Sequence, residues 1–213
     1  MVCRCVAGSM LVMGLLWPAQ ARADLHSFSS ITNHDPVHVA VGESQMRMSV
    51  VAIGRNQVSF RFYNHGPERS SLTDIYFDDA GGTLQELPAV KNGLGVAFTE
   101  GGSPADIPGA RQGNQIFLAE FDQDSADPTG LGVNPGERLG ITFQLADGTS
   151  FQDVLDDLAE GSLRIGIQVR GFRGAGSGES FVNRMAVAPL PSALLLGACG
   201  LALVGWARRR ARP

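Results

Sequence analysis

Three aspartates lie close together in the segment FDQDSADP, as Asp122, Asp124 and Asp127. Alternate carboxylates in a loop supply the oxygen ligands that Ca²⁺ prefers. The EF-hand pattern is absent, because no glycine stands at the required turn position and no glutamate at the twelfth. The three aspartates are therefore candidate calcium ligands, with Asp78 and Asp79 as further candidates from a second loop. The alternative is that both segments are solvated acidic turns.

Two histidines, His34 and His38, are four residues apart in the segment HDPVH. On a strand this spacing would place both rings on one face, as a zinc site requires. Pro36 lies between them and no third ligand is evident, so we expect exposed polar residues, with a zinc site as the alternative. Calcium is the one cofactor that the sequence suggests.

Enzyme chemistry has less support in the sequence. Ser177 lies among glycines in GAGSG, but the register is not that of a G-x-S-x-G nucleophile turn, and a strand pattern follows it. With 21 acidic residues, any pair could be proposed for glycoside hydrolysis, so no pair is indicated. Both tryptophans, Trp17 and Trp206, lie near the chain ends, so few aromatic rings remain in the middle of the chain to stack on sugars.

Strand patterns dominate the middle of the chain. MRMSVVAI and QVSFRFYN flank GRN and predict a β-hairpin. One helix is predicted after Ser150, with Asp153 completing a capping box and Gly161 ending it. We expect an all-β fold, an antiparallel β-sandwich of jelly-roll or immunoglobulin-like type with one short helix, or else an open barrel. The other predicted strands are 71–79, 94–100, 114–122, 138–145, 162–172 and 179–183.

The N-terminus has the pattern of a secretory signal peptide, 1–23. An uncharged apolar run follows Arg4, and Ala21 and Ala23 are the small residues that signal peptidase requires, which predicts cleavage after Ala23. A first transmembrane helix is the alternative, but the run is short and Pro18 breaks it. The C-terminal segment 187–213 predicts a transmembrane helix at 192–207, with four arginines as a membrane stop: Arg208, Arg209, Arg210 and Arg212. The alternative, a buried core helix, would not need these arginines.

The exported domain between these ends is 24–186. All 21 acidic residues lie in it, whereas six of the 17 basic residues lie in the two ends, so its net charge is −10. Such a domain is poorly suited to binding nucleic acid. It has no cysteine, so burial rather than disulfides must hold it together.

The tail PLPSALLLGACGLALVGWARRRAR resembles the PEP-CTERM sorting signal, in its Val-Pro-Leu-Pro-type variant. Leu190 stands where the commonest form has glutamate. The resemblance implies recognition by an exosortase, with cleavage near Pro189, Leu190 and Pro191, in a bacterium that makes exopolysaccharide. Segments such as GVNPGERLGITFQL are similar to one recurrent type of exported PEP-CTERM protein, which implies no activity.

Three function classes follow, in order of preference. The first is a non-enzymatic surface or extracellular-matrix protein, exported by the Sec machinery and signal peptidase. It would be anchored in the inner membrane with a cytoplasmic C-terminus and then sorted by an exosortase, with exopolysaccharide as a partner. The second is a calcium- or carbohydrate-binding matrix module. The third is a secreted hydrolase.

Overall fold

The computed structural model describes residues 24–85, 89–101, 106–111, 116–127, 130–174 and 178–184. The predicted signal peptide and sorting tail lie outside the described residues. Within the described part of the chain, no helix has both the length and the apolar character needed to cross a membrane. The elements are β1 (Asp24–Ser30), α1 (Pro36–Gln45), β2 (Met46–Ile53), β3 (Gln57–Asn64), β4 (Ser71–Asp79), β5 (Ala89–Asn92), β6 (Phe98–Glu100), β7 (Phe121–Ser125), β8 (Arg138–Gln144), α2 (Phe151–Glu160), β9 (Leu163–Arg170) and β10 (Glu179–Asn183).

The ten strands form one antiparallel, nearly closed sheet in the order β5-β8-β3-β2-β1-β10-β9-β4-β7-β6. Strand β1 joins its two halves. The first part of β1 pairs with β2, and the last part, from Phe28 to Ser30, pairs with β10. At the opposite side the Asn92 Oδ1 of β5 accepts a hydrogen bond of 2.9 Å from the Phe98 N–H of β6. The prediction of an all-β fold is confirmed.

Alternating aromatic residues hold the two halves of the sheet together. Phe60 of β3 and Phe143 of β8 belong to one half, and Phe77 of β4 belongs to the other. The Phe77 ring meets the other two rings edge to face, with centroids 5.2 Å from Phe60 and 4.7 Å from Phe143. Such pairs add to the burial of three large rings. The halves therefore face each other across one shared core.

Several predicted elements are confirmed. The β2–β3 hairpin is present in full register, and β4, β8, β9 and β10 match predicted strands. The predicted helix is α2, whose Ser150 hydroxyl and Asp153 carboxylate form a reciprocal capping box. Gly161 ends this helix in the left-handed conformation, with φ of 86°.

The prediction of a single short helix is wrong, because α1 is a second one. Its first turn is capped by the Asp35 side chain, which accepts hydrogen bonds from the N–H groups of Val37 and His38. Pro36 occupies the first helical turn, where a missing N–H costs nothing. A Cβ atom at Gly42 would lie 2.1 Å from Cζ of Phe181, so glycine lets the helix pack directly on β10.

The strands predicted at 94–100 and 114–122 are wrong in extent. Within the described residues of these two segments and the turn that follows, the strands are 98–100 and 121–125, and β1 and β5 are additional strands that the sequence does not predict. The chain from 116 to 119 instead crosses the outer face of the sheet. There Phe117 and Ile107 pack on Tyr76 and form a second small core with it. Both side chains occupy the space that a side chain at Gly166 would fill.

Candidate functional site

The three aspartates predicted to bind calcium do not come together. Asp122 and Asp124 are in strand β7, so the prediction of a loop over these two residues is wrong. Asp127 lies in the turn after it, where its carboxylate accepts a 3.2 Å hydrogen bond from the Gly130 N–H. Among the residues that the structure describes, no group of three or more His, Cys, Asp or Glu could hold a metal ion. Calcium binding stays a prediction, and the described residues form no calcium site that would support it.

Asp124 does meet another acid, Asp74 of β4. The two residues are directly opposite in the register of β4 and β7, which places their side chains on the same face of the sheet. Asp74 is buried, and its Oδ2 accepts a 2.5 Å hydrogen bond from the Thr73 hydroxyl. Its Oδ1 is buried without a hydrogen-bond partner. A proton on Asp74 would satisfy that oxygen by donating to Asp124.

Burial raises the pKa of Asp74 from its ordinary 3.8 to about 6. The charge of Asp124 adds to the shift, while the Thr73 hydrogen bond and Arg170, with Nη2 4.0 Å from Asp74 Oδ2, oppose it. Burial also raises the pKa of the neighbouring Tyr76 phenol, and the charge of Asp74 acts in the same direction. The pair therefore binds a proton at a higher pH than an isolated aspartate does.

Asp78 and Asp79 end strand β4 and have structural partners. Asp78 forms an ion pair with Arg164 and accepts a 3.1 Å hydrogen bond from the Leu118 N–H. Asp79 Oδ2 accepts a 2.6 Å hydrogen bond from the Leu84 N–H, and burial raises the pKa of this carboxyl. These bonds fix the segment 116–119, which crosses the outer face of the sheet, and the turn that follows β4.

His34 and His38 do not share a strand face, because His38 lies in the first turn of α1. His34 is exposed as expected, but His38 is buried, so the expectation of an exposed residue is wrong for His38. The His38 ring stacks on Phe172, with centroids 4.5 Å apart and an interplanar angle of 8°. His34 Nδ1 lies 3.7 Å from Glu179 Oε2. The two rings are held by different partners. Ser177, the serine weighed as a nucleophile, lies outside the described residues.

The outer face of the other half-sheet carries a groove of about 560 Å³. Five residues define this sheet groove: Arg61 and Tyr63 of β3, Lys91 of β5, and Arg138 and Gly140 of β8. Inward-facing Phe60 and Phe62 alternate with them along β3, which turns Arg61 and Tyr63 outward. In the strand register, Arg61 and Lys91 flank Gly140 from opposite sides, and Tyr63 pairs with Arg138.

The sheet groove is positively charged within an acidic domain. None of the residues lining it is acidic, and Arg61, Lys91 and Arg138 are exposed. Within the described ranges, none of these three side chains forms an ion pair, whereas Arg164, Arg170 and Arg184 face Asp78, Asp74 and Glu43. The groove can therefore attract and hold an anion.

The sequence did not single out these groove residues. The sequence contains part of the information needed to find the groove, since the predicted strand 57–64 has Ser59, Arg61 and Tyr63 on its polar face. What it lacked was the pairing of β3 with β8 and of β8 with β5, which brings Arg138 and Lys91 beside Arg61. These pairings join segments that are far apart in sequence, and no local pattern specifies them.

Comparison with known proteins gave no matching family model, no matching curated protein and no matching solved structure.

Proposed function

We propose that the protein is an exported, non-enzymatic surface or extracellular-matrix protein that is processed at both ends. Signal peptidase would cut after Ala23. An exosortase would read the segment Pro189, Leu190 and Pro191 and separate the domain from its membrane helix. The proposal rests on the sequence patterns of the two ends and on the PEP-CTERM resemblance, with exopolysaccharide as the partner that this resemblance implies.

One structural observation supports it: β1 and β10, the first and last strands among the described residues, pair with each other, so the fold itself fixes both ends of the described domain. Strand β1 spans Asp24–Ser30 and strand β10 spans Glu179–Asn183. The two strands pair in the middle of the sheet, with Phe28 opposite Asn183.

The end of the domain is also fixed by side-chain contacts. The Arg184 N–H donates to the Ser27 carbonyl at 2.8 Å, and Arg184 Nη2 lies 2.8 Å from Glu43 Oε2 of helix α1. The chain is therefore attached to the domain up to Arg184, three residues before the proposed sorting tail begins at 187. A cut beyond this point would leave these contacts intact.

The same proposal includes the finer fold type, a β-sandwich of jelly-roll or immunoglobulin-like kind. The contact between the Phe77 ring of one half-sheet and the Phe60 ring of the other favours two sheet layers packed face to face. The second candidate function is a carbohydrate- or calcium-binding matrix module. The charged sheet groove favours its carbohydrate-binding form.

The sorting proposal is tested by substituting the proline motif in the producing bacterium. Wild type, the double variant Pro189→Ala/Pro191→Ala and the control Pro213→Ala, in the same tail beyond the arginines, are compared by immunoblot of membrane and extracellular fractions. We expect the wild type and the control to leave the membrane and the double variant to stay in it. Release of the double variant at the wild-type level would contradict recognition at the proline motif.

A further inference from the structure

The sheet groove has a spacing of charges that suits a chain rather than a compact ion. Arg61 and Lys91 lie on strands separated by β8, so their Cα atoms are about 10 Å apart across the sheet. Arg138 lies two residues along β8 from Gly140, which displaces it by about 7 Å in the strand direction. A single phosphate or carboxylate is bound by donors that converge on it. Here the Cα atoms of the three cationic residues lie on three neighbouring strands, β3, β8 and β5, so the cations can contact several anionic groups of one chain.

Gly140 opens the space between Arg61 and Lys91. A Cβ atom added there would make ordinary contacts, at 3.6 Å from Cβ of Lys91 and 3.9 Å from Oγ of Ser59. A β-branched side chain would fit the strand but would occupy the slot between the two cations. The glycine therefore leaves an open passage over β8 that a bound chain can cross.

The rest of the groove offers hydroxyl and apolar groups. The Tyr63 hydroxyl lies 3.4 Å from Ser49 Oγ, and the Tyr63 ring stacks with His65 at a centroid distance of 5.8 Å. Leu94 is 98% exposed at the groove edge, and Ile53 is half-buried at its margin. Hydroxyl groups and apolar C–H faces in alternation are what a sugar chain presents to a protein.

We infer that the sheet groove binds a linear polysaccharide that carries carboxylate groups along its chain. Spaced cations match spaced carboxylates, and Tyr63, Leu94 and Ile53 match the neutral parts of each sugar. A nucleic acid fits less well. Single strands are bound largely by the stacking of successive bases on aromatic rings, and the groove has one tyrosine.

This inference names a binding partner for the domain. It rests on the proposed function in one respect: export determines where the protein would encounter the polysaccharide. Binding is measured on purified full-length chain in mild detergent, by calorimetry with polygalacturonate. Methyl-esterified polygalacturonate has the same backbone without the charges, and single-stranded DNA is the competing polyanion. We expect binding of polygalacturonate alone, weakening as salt rises from 20 to 150 mM, because exposed charges are screened over ~8 Å at the higher value.

Three variants locate the site. Arg61→Gln and Lys91→Gln should each weaken polygalacturonate binding about tenfold, because each removes one charge-assisted hydrogen bond. Gly140→Thr should abolish binding without any change of charge. Arg55→Gln is the matched control, since it removes an exposed arginine in the turn of the same hairpin but outside the groove. Thermal melting of each variant verifies that it is folded.

Four results would overturn the inference: no binding of polygalacturonate by the folded wild type, equal binding of the esterified chain, an equal loss in Arg55→Gln, or groove-dependent binding of DNA. A further contradiction would be groove-dependent self-association, which would make a second copy of this acidic chain the occupant. Sorting is measured separately in cells, so an intact sorting result with no glycan binding refutes this inference alone.

Discussion

Neutralising Asp74 should stabilise the protein at neutral pH. The folded state binds the Asp74 proton more tightly than the unfolded state does, because burial raises the pKa from 3.8 to about 6. Stability from this group is fully present below pH 3.8 and is lost as the pH rises toward 6. The two pKa values correspond to a loss of about 3 kcal/mol in the free energy of unfolding.

The Asp74→Asn side chain keeps the shape and stays neutral. Its carbonyl oxygen can accept the hydrogen bond from Thr73, and its amide can donate to Asp124, which the buried Oδ1 of ionised Asp74 cannot do. The stability of the variant relative to wild type should therefore grow with pH. We expect little difference at pH 4 and a gain of about 3 kcal/mol at pH 7.5, reduced by whatever attraction Arg170 contributes.

The assay is urea unfolding of wild type and Asp74→Asn at steps between pH 4 and pH 7.5. Asp147→Asn, an exposed carboxylate in a turn, is the control for a general change of charge. Only the difference between variant and wild type is interpreted, since the other carboxyl groups titrate in both. A difference that is flat with pH, or a variant less stable than wild type at pH 7.5, would refute the reasoning about the Asp74–Asp124 pair.

Three other substitutions test the packing and the helix ends, each by urea unfolding at one pH. Gly42→Ala should destabilise by about 1–3 kcal/mol, because the new Cβ meets the Phe181 ring; unchanged stability would mean that α1 does not pack on β10 as described. Ser150→Ala should cost about 1 kcal/mol through loss of the capping box, and no loss would argue against the Asp153 contact. Phe77→Ala should cost about 3–5 kcal/mol, and a loss below 1 kcal/mol would contradict a core shared by both half-sheets.

The local sequence was sufficient to predict those elements whose residues show a clear strand or helix pattern. The β2–β3 hairpin has alternating apolar residues around a glycine turn, and α2 has a cap, an apolar face and a terminal glycine. Helix α1 has no comparable apolar face, and it contains Gly42 and β-branched valines. Its stability comes from the Asp35 cap and from packing on Phe181, a contact between distant parts of the chain.

The candidate sites show the same limit. The charge imbalance of the domain and the polar face of β3 could be read from the sequence. The Asp74–Asp124 pair and the sheet groove could not, because both depend on which strands are neighbours. The sequence predicts the segment 114–122 as a strand. Its Phe117 instead covers Gly166, a position where the missing side chain makes room for the ring.

The most direct test of the account is the intact mass of the form recovered from the cell surface or medium. Processing at both ends around a closed domain predicts a chain that begins at Asp24 and ends near Pro189–Pro191, without Arg208, Arg209, Arg210 or Arg212. A recovered chain that retains residues 1–23, or that continues through Arg212, would contradict the account.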